Sequence, residues 1–366
     1  MGQAHWYEII LMELTSLLIT IVVMWGHGIA TVLLEGKSLR SVWKGVLGWP
    51  LFLFSWTYIS LFAIFYRNTE WKPIAHHSTA GIELRFRTDS PSLLLDLEVK
   101  KGSGRSFFAL EVFADGKPAG AIDNHSGKPL PAVYSALPFE QGNFRKSFDL
   151  GPGTKEVRVL LPWSAWPLFH EVSLADGASL EPVKPGKTLL AYGDSITHGY
   201  DALWPSRCYP VRLADALGAC QHNRAIGGET FFPELAQAES LESPDYITVA
   251  YGTNDWVKTT EETAEKCCRD FYAALSRKYP QAKIFALTPI WREAWRQPGK
   301  GFGPWERMEQ IIEETAAELP NVTVIRGFDL VPHTAECFAD DLVLHPNDAG
   351  FDHYAANLIE AVKKAL

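Results

Sequence analysis

Basic residues are in the minority in this chain. Lys and Arg number 34 against 43 Asp and Glu, a formal net charge of −9 over 366 residues. With no basic stripe to neutralise phosphates, a nucleic-acid partner is excluded. Cysteine is also scarce: Cys208, Cys220, Cys267, Cys268 and Cys337 are odd in number, and two of them are adjacent. No CxxC pair or Cys/His set at zinc spacing occurs, so neither a disulfide framework nor a metal site is expected. Isolated thiols of this kind behave as small buried hydrophobes, and fit a reducing compartment or a bacterial protein that does not use disulfides. No G-x-G-x-x-G or G-x-x-x-x-G-K-[ST] follows a predicted strand, so no nucleotide cofactor, and no cofactor of any kind, is expected.

Charge is nearly missing from the first 66 residues. Leu14 to Leu34 (LTSLLITIVVMWGHGIATVLL) carries none, and Val46 to Tyr66 is a second apolar run. About 20 such residues match the thickness of a bilayer's hydrocarbon core. Trp43, Trp49 and Tyr66 stand near the ends of the second run, where interfacial aromatics belong. Residues 1–70 are therefore expected to form a helical hairpin that spans a membrane through residues 14–66. Two buried core helices are the soluble alternative. The start MGQAHWYEIILMEL has no basic region and no small-residue cleavage site follows, so a secretory signal peptide is not expected.

Glu35 to His76, closing on Trp71-Lys72-Pro73-Ile74-Ala75-His76, resembles the last membrane hairpin of family 2 glycosyltransferases. The nucleotide-sugar domain of that family, with its Asp-x-Asp and Gln-x-x-Arg-Trp motifs, is absent. The resemblance implies an anchor, or a remnant of a gene fusion, and no sugar transfer. Lys37, Arg40 and Lys44 would hold the loop between the two runs in the cytoplasm and place the downstream chain outside. The resemblance implies the opposite side. The expected localisation is membrane-associated with its side open, or cytoplasmic if the segment is no true anchor.

From about residue 78 to 183 the pattern becomes one of short alternating strands. Ile82 to Arg87, Leu93 to Val99 and Glu156 to Leu161 alternate apolar and polar residues, and turn sequences such as Ala114-Asp115-Gly116 and Gly151-Pro152-Gly153 separate them. Such spacing predicts an antiparallel β-sandwich, in particular a jelly-roll-like one. It would bind carbohydrate or cover one side of an active site. Trp163, Trp166 and Phe169 are candidates for stacking on sugar rings, although packing is the commoner role of large aromatics.

Residues 186–366 alternate strand and helix. Strands are expected at Thr188–Tyr192, His222–Ile226, Tyr246–Tyr251, Lys283–Leu287 and Val322–Ile325. Helices are expected at Tyr209–Leu217, Pro233–Glu239, Glu261–Lys278, Pro304–Leu319 and Asp348–Leu366. This rhythm predicts an α/β fold, a three-layer flavodoxin-like α/β/α sandwich on a parallel sheet. Ligands of such folds bind at the carboxyl edge of the sheet. Gly193-Asp194-Ser195-Ile196-Thr197 leaves the first strand at that edge. A serine there is a weak nucleophile that needs a base, a group to orient the base, and donors for an oxyanion.

Three further motifs follow in order: Asn223 to Thr230 with Gly227-Gly228, then Gly252-Thr253-Asn254-Asp255, then Asp340 to Asp348 with His345. The ordered set resembles the SGNH hydrolases, also called the GDSL esterase/lipase superfamily, over about residues 187–366. The resemblance implies Ser195 as nucleophile and His345 as general base. It also implies an oxyanion hole made by the Ser195 and Gly228 backbone N–H groups and the Asn254 side-chain amide. The family's last block is Asp-x-x-His, but Leu342 holds that acid position here. Asp341, one residue earlier, is the expected orienting acid. Asp340, or a Ser-His dyad helped by a backbone carbonyl, is the alternative.

Asp194 and Asp255 are expected to hydrogen-bond turn amides beside the site, with Asp194 also at the pocket edge. His198 is weighed between pocket wall and solvated loop. Trp291 and Trp295, past the fourth strand, are candidates for the wall of an acyl or sugar pocket. His222, His333 and His353 are not expected to take part.

The reading is a serine esterase. It would act on short-chain acyl esters, acetyl on a carbohydrate in the first instance, through an acyl-enzyme on Ser195. The alternatives are an acyltransferase, and a membrane-anchored carbohydrate-binding or scaffold protein with an inactive hydrolase domain.

Overall fold

The alternation of Leu93, Leu95, Leu97 and Val99 with polar neighbours produces one long strand in which these four residues are buried. In the computed structural model, which describes residues 78–128, 142–183, 186–240, 242–297, 299–339 and 343–366, this strand is β2 (Ser92–Lys101). It pairs antiparallel with β5 (Gly142–Asp149) and β7 (Ala165–Leu174) in a three-stranded sheet of order β5-β2-β7. A second sheet has the order β4-β3-β6-β1-β8, from β1 (Glu83–Thr88), β3 (Ala109–Ala114), β4 (Lys117–Asp123), β6 (Lys155–Leu160) and β8 (Glu181–Pro182). Val112, Val157 and Val159 of that sheet meet the β2 leucines and Phe148 in one core, which makes the region a two-sheet sandwich.

The expected hairpin of residues 1–70, and the glycosyltransferase-like stretch 35–76, lie outside the described residues. No helix among the described residues is long and apolar enough to cross a membrane.

Beyond residue 186 the sheet is parallel, in the order β10-β9-β11-β12-β13. Its strands are β9 (Lys187–Gly193), β10 (Ala219–Asn223), β11 (Tyr246–Ala250), β12 (Lys283–Leu287) and β13 (Val322–Ile325). This is the flavodoxin-like order, whose switch point falls between β9 and β11. β9 reads as an unbroken apolar run because it is central and covered on both faces: Leu189, Leu190, Ala191 and Tyr192 are all buried.

The longer helices are α2 (Tyr209–Leu217), α5 (Glu261–Lys278), α6 (Trp305–Ala317) and α7 (Asp348–Ala365). Local chemistry sets their ends. Pro210 opens α2 and Gly218, at φ 62°, closes it. The Thr260 hydroxyl caps α5, with acidic residues in its first turn and basic ones in its last. α2 packs on α7, whereas α5 packs on α6 and on α3 (Pro233–Gln237), so the helices form two groups about the sheet. β10 begins and ends three residues before its expected place. The chain then turns across the end of β9, where Ile226 N–H donates to the Gly193 carbonyl at 3.0 Å.

The sandwich and the α/β region form one compact unit, Lys72–Leu366. Phe107, Leu160 and Trp163 of the sandwich belong to the apolar core of the α/β region. Trp163 Nε1–H donates to the Ala202 carbonyl at 2.7 Å, and Glu111 accepts from Ser206 N–H and Oγ–H at 2.8 and 2.9 Å. Trp163 therefore packs between the two regions. Trp166 lies near the Lys100 ammonium, and Phe169 packs on the sandwich core.

Candidate active site

Three loops leave the carboxyl ends of β9, β10 and β11, and each carries one of the expected groups. Ser195 opens a four-residue helix, α1 (Ser195–His198), directly after β9. Asp194 caps it by accepting Ile196 N–H at 2.9 Å. Gly199 ends it at φ 110°, where a Cβ would lie 2.5 Å from Cys208 Sγ and against the Trp163 ring. Glycine is thus required there by both conformation and space.

Ser195 Oγ lies 2.7 Å from His345 Nε2, with both residues buried. The other ring nitrogen, Nδ1, lies 3.2 Å from Asp201 Oδ2. An ionised carboxylate only accepts hydrogen bonds, so Nδ1 carries the proton and Nε2 presents its lone pair to the serine hydroxyl. This is a nucleophile–base–acid relay within hydrogen-bond reach. The expected acid, Asp341, and its alternative, Asp340, lie outside the described residues. The carboxylate that faces the imidazole comes from the nucleophile's own loop, six residues after Ser195.

Asp201 is fully buried, in a left-handed conformation at φ 69°. Arg105, from the loop between β2 and β3, grips it with two hydrogen bonds, Nε to Oδ1 at 2.6 Å and Nη2 to Oδ2 at 2.7 Å. Burial pushes the carboxyl's pKa up, but the hydrogen bonds from Arg105 and His345 and their charges outweigh it and hold the group below the usual carboxylate range. Sequence reasoning missed both residues. The only local signal was an Asp beside a Gly-Tyr turn just after the nucleophile.

The Asn254 side-chain amide donates to Asp194 Oδ2 at 3.1 Å, which brings it beside the nucleophile. Asn254 sits at the start of α4 (Thr253–Lys258), directly after β11. Gly228 occupies a turn at φ 78°. Its carbonyl accepts Lys258 Nζ–H at 2.5 Å, which ties that loop to α4. Asp255 accepts from Phe231 N–H and Gly252 N–H at 2.9 and 3.0 Å, the turn-holding role expected of it. Burial raises the carboxyl pKa of Asp194 to about 6 and of Asp255 to about 7.

The loop bearing His345 is pinned from below. Ala339 N–H donates to the His345 carbonyl at 2.8 Å, and Phe338 bridges to Pro346. Trp291 is buried, edge-on to Phe338 and stacked on His333 at 5.4 Å. It supports this loop. Trp295 meets Phe328 edge-on. Neither tryptophan lines the small cavity bounded by Asp194, Ile196, Thr253 and Ile290. His198 sits at the seam with the sandwich, where its Nε2 lies 2.8 Å from Ser78 Oγ and 3.0 Å from the Trp163 carbonyl and it lines a small cavity with Trp163 and Ile82. His222 pairs with Glu242. Among the described residues no group of His, Cys, Asp and Glu could hold a metal ion.

The fold and the Ser195–His345–Asp201 geometry fit an ester hydrolase of the SGNH/GDSL type. Residues 191–353 match the model of the GDSL-like Lipase/Acylhydrolase family. The chain is also similar to solved structures. The salicylyl-acyltransferase SsfX3, from a tetracycline biosynthetic pathway, is 21% identical with a TM-score of 0.65, over 80% of this chain and 85% of that one. A family two carbohydrate esterase from Clostridium thermocellum, solved with cellohexaose, is 14% identical with a TM-score of 0.59, over 79% of this chain and 93% of its own. The acetyl xylan esterase Est2A from Butyrivibrio proteoclasticus is 17% identical with a TM-score of 0.55, over 81% of this chain and 93% of its own. At these identities the likeness is one of fold. No curated protein matches the sequence.

Proposed function

We propose that this protein removes short acyl groups, acetyl first among them, from hydroxyls of a carbohydrate. The observation that carries the proposal is the 2.7 Å contact between Ser195 Oγ and His345 Nε2, backed by Asp201 at Nδ1. In the first step Ser195 Oγ attacks the ester carbonyl and His345 takes the hydroxyl proton. The tetrahedral oxyanion receives hydrogen bonds from Ser195 N–H, Gly228 N–H and the Asn254 amide. The C–O bond to the sugar breaks, and His345 returns the proton to the departing alcohol. Water, deprotonated by His345, then releases the acid from the acyl-serine. The names of two structural relatives, a carbohydrate esterase and an acetyl xylan esterase, support the substrate class.

Hydrolysis of p-nitrophenyl acetate and of acetylated oligosaccharides by the full-length chain tests this. Ser195→Ala is expected to lower kcat about 10,000-fold or more, by analogy with nucleophile deletions in serine hydrolases. Equal slow rates for wild type and variant would leave only the scaffold reading.

The acyltransferase relative favours a second reading, in which a hydroxyl acceptor replaces water at the acyl-serine. Acylated acceptor formed in preference to free acid would establish it. In the same proposal residues 14–66 anchor the enzyme to a membrane and the sandwich is jelly-roll-like. Recovery of the full-length chain in the soluble fraction without detergent, as one monodisperse species, would rule out the anchor.

A further inference from the structure

We infer that Arg105 of the β-sandwich is a positioning residue of the catalytic centre, so that the sandwich completes the relay. The inference rests on the serine-hydrolase reading and extends it to a residue outside the α/β region. Three observations carry it. The Arg105 guanidinium engages both oxygens of Asp201, and Asp201 Oδ2 is shared between Arg105 Nη2 and His345 Nδ1. A planar bidentate fork of this kind fixes the orientation of a carboxylate as well as its charge. The Tyr200 ring lies between the same two groups, 5.5 Å from the guanidinium carbon and 5.3 Å from the imidazole centroid. Tyr200 N–H donates to the Ser195 carbonyl at 3.0 Å, so this stack is tied to the nucleophile helix.

Asp201 also needs such a partner. Its backbone is left-handed and its side chain has no exposure to solvent. Without Arg105 a buried carboxylate would keep only the imidazole proton. It would then take up a proton at higher pH, or turn away from Nδ1. Arg105 and His345 are the charged or titratable groups whose side chains hydrogen-bond to it. The loop that carries Arg105 is held by Gly102 N–H to the Ser164 carbonyl and by Arg105 N–H to Ser103 Oγ, at 3.3 and 3.1 Å. The sandwich thus anchors the loop that presents the guanidinium.

The test compares Arg105→Ala, Arg105→Lys and Glu111→Gln in the full-length chain. Glu111 bridges the same two regions through Ser206 but does not touch the relay. Arg105→Ala should lower kcat about 10- to 100-fold, the scale expected when a catalytic group is displaced by about 1 Å, with KM little changed. The acid limb of its kcat/KM profile should move to higher pH, because Asp201 loses the donors that keep it ionised. Arg105→Lys should recover part of both. Glu111→Gln should keep the wild-type kcat and acid limb.

In proton NMR of the detergent-solubilised protein, the low-field His345 Nδ1–H resonance should broaden or vanish in Arg105→Ala. That readout needs no turnover, so it separates failure of this inference from failure of the esterase reading. An Arg105→Ala protein with wild-type kcat, acid limb and Nδ1–H signal would overturn the inference. So would a Glu111→Gln protein that loses activity to the same extent. If Arg105→Ala does not fold, Arg105→Lys decides: full wild-type behaviour from a single-point ammonium would contradict the role of the bidentate fork.

Discussion

The sandwich and the α/β region are held together in different ways. The sandwich closes its own core: β2 leucines meet Val112, Val157 and Val159 with no residue of the α/β region among them. The α/β region does not. Its main apolar cluster takes in Phe107, Leu160 and Trp163 from the sandwich, and its buried Asp201 takes a guanidinium from it. The seam also returns contacts to the sandwich, where Arg158 of β6 pairs with Asp215 of α2 and Glu111 accepts from Ser206. A cover that only shielded the site would leave the catalytic region whole without it, whereas this one supplies both core and charge.

The largest effect that sharpens this contrast belongs to chemistry on the α/β side alone. Asn254→Ala should lower kcat about 100- to 1000-fold, the loss expected for one oxyanion donor. Steady-state kinetics with p-nitrophenyl acetate check it, and a fall in KM-based affinity with unchanged kcat would remove Asn254 from the oxyanion hole. Next come two core truncations. Trp163→Ala and Leu97→Ala should each cost about 2–5 kcal/mol of stability, read as a drop in the thermal midpoint. Only Trp163→Ala should also reduce kcat of the protein that remains folded, because Trp163 packs against Gly199 and Tyr200 beside the relay. Equal kcat in the two variants would break the comparison.

The smallest effect is electrostatic. Burial raises the Asp255 carboxyl from 3.8 to about 7, and Asp194 adds to the shift. A carboxyl with a raised folded-state pKa binds its proton more tightly when folded. It contributes stability that is fully present below about pH 4 and lost as pH rises through about 7. Asp255→Asn should therefore flatten the fall of the thermal midpoint between those values. Midpoints measured across that range check this, and an unchanged slope would show that Asp255 does not titrate there.

Much of the fold is legible in the sequence. β12, β13, α2 and α5 match their expected bounds, because the strands are short β-branched or apolar runs and the helices carry their own start and stop signals, Thr260 before α5 and Gly218 after α2 among them. The nucleophile and base were legible too, since each sits in a short motif at a strand or helix end. Asp201 was not. Asp341, expected from its spacing to His345 along the chain, lies outside the described residues, and hydrogen bonding depends on position in space. Asp201 reaches His345 only because both loops rise from the same edge of the sheet, 144 positions apart in sequence. The tryptophans at 291 and 295 show another limit of local reading: aromatic loop residues read alike whether they wall a pocket or prop a loop.

The sequence by itself therefore determined the parallel sheet, its helices, and the placing of Ser195, Gly228 and Asn254 at the ends of three strands. Periodicity and turn chemistry act over a few residues and are written locally. Only the tertiary structure decided that Asp201 faces His345 and that Arg105 crosses from the sandwich to hold it. Those contacts join residues 144 and 96 positions apart, and packing of the two regions, which leaves no local pattern in the chain, brings them within hydrogen-bond reach.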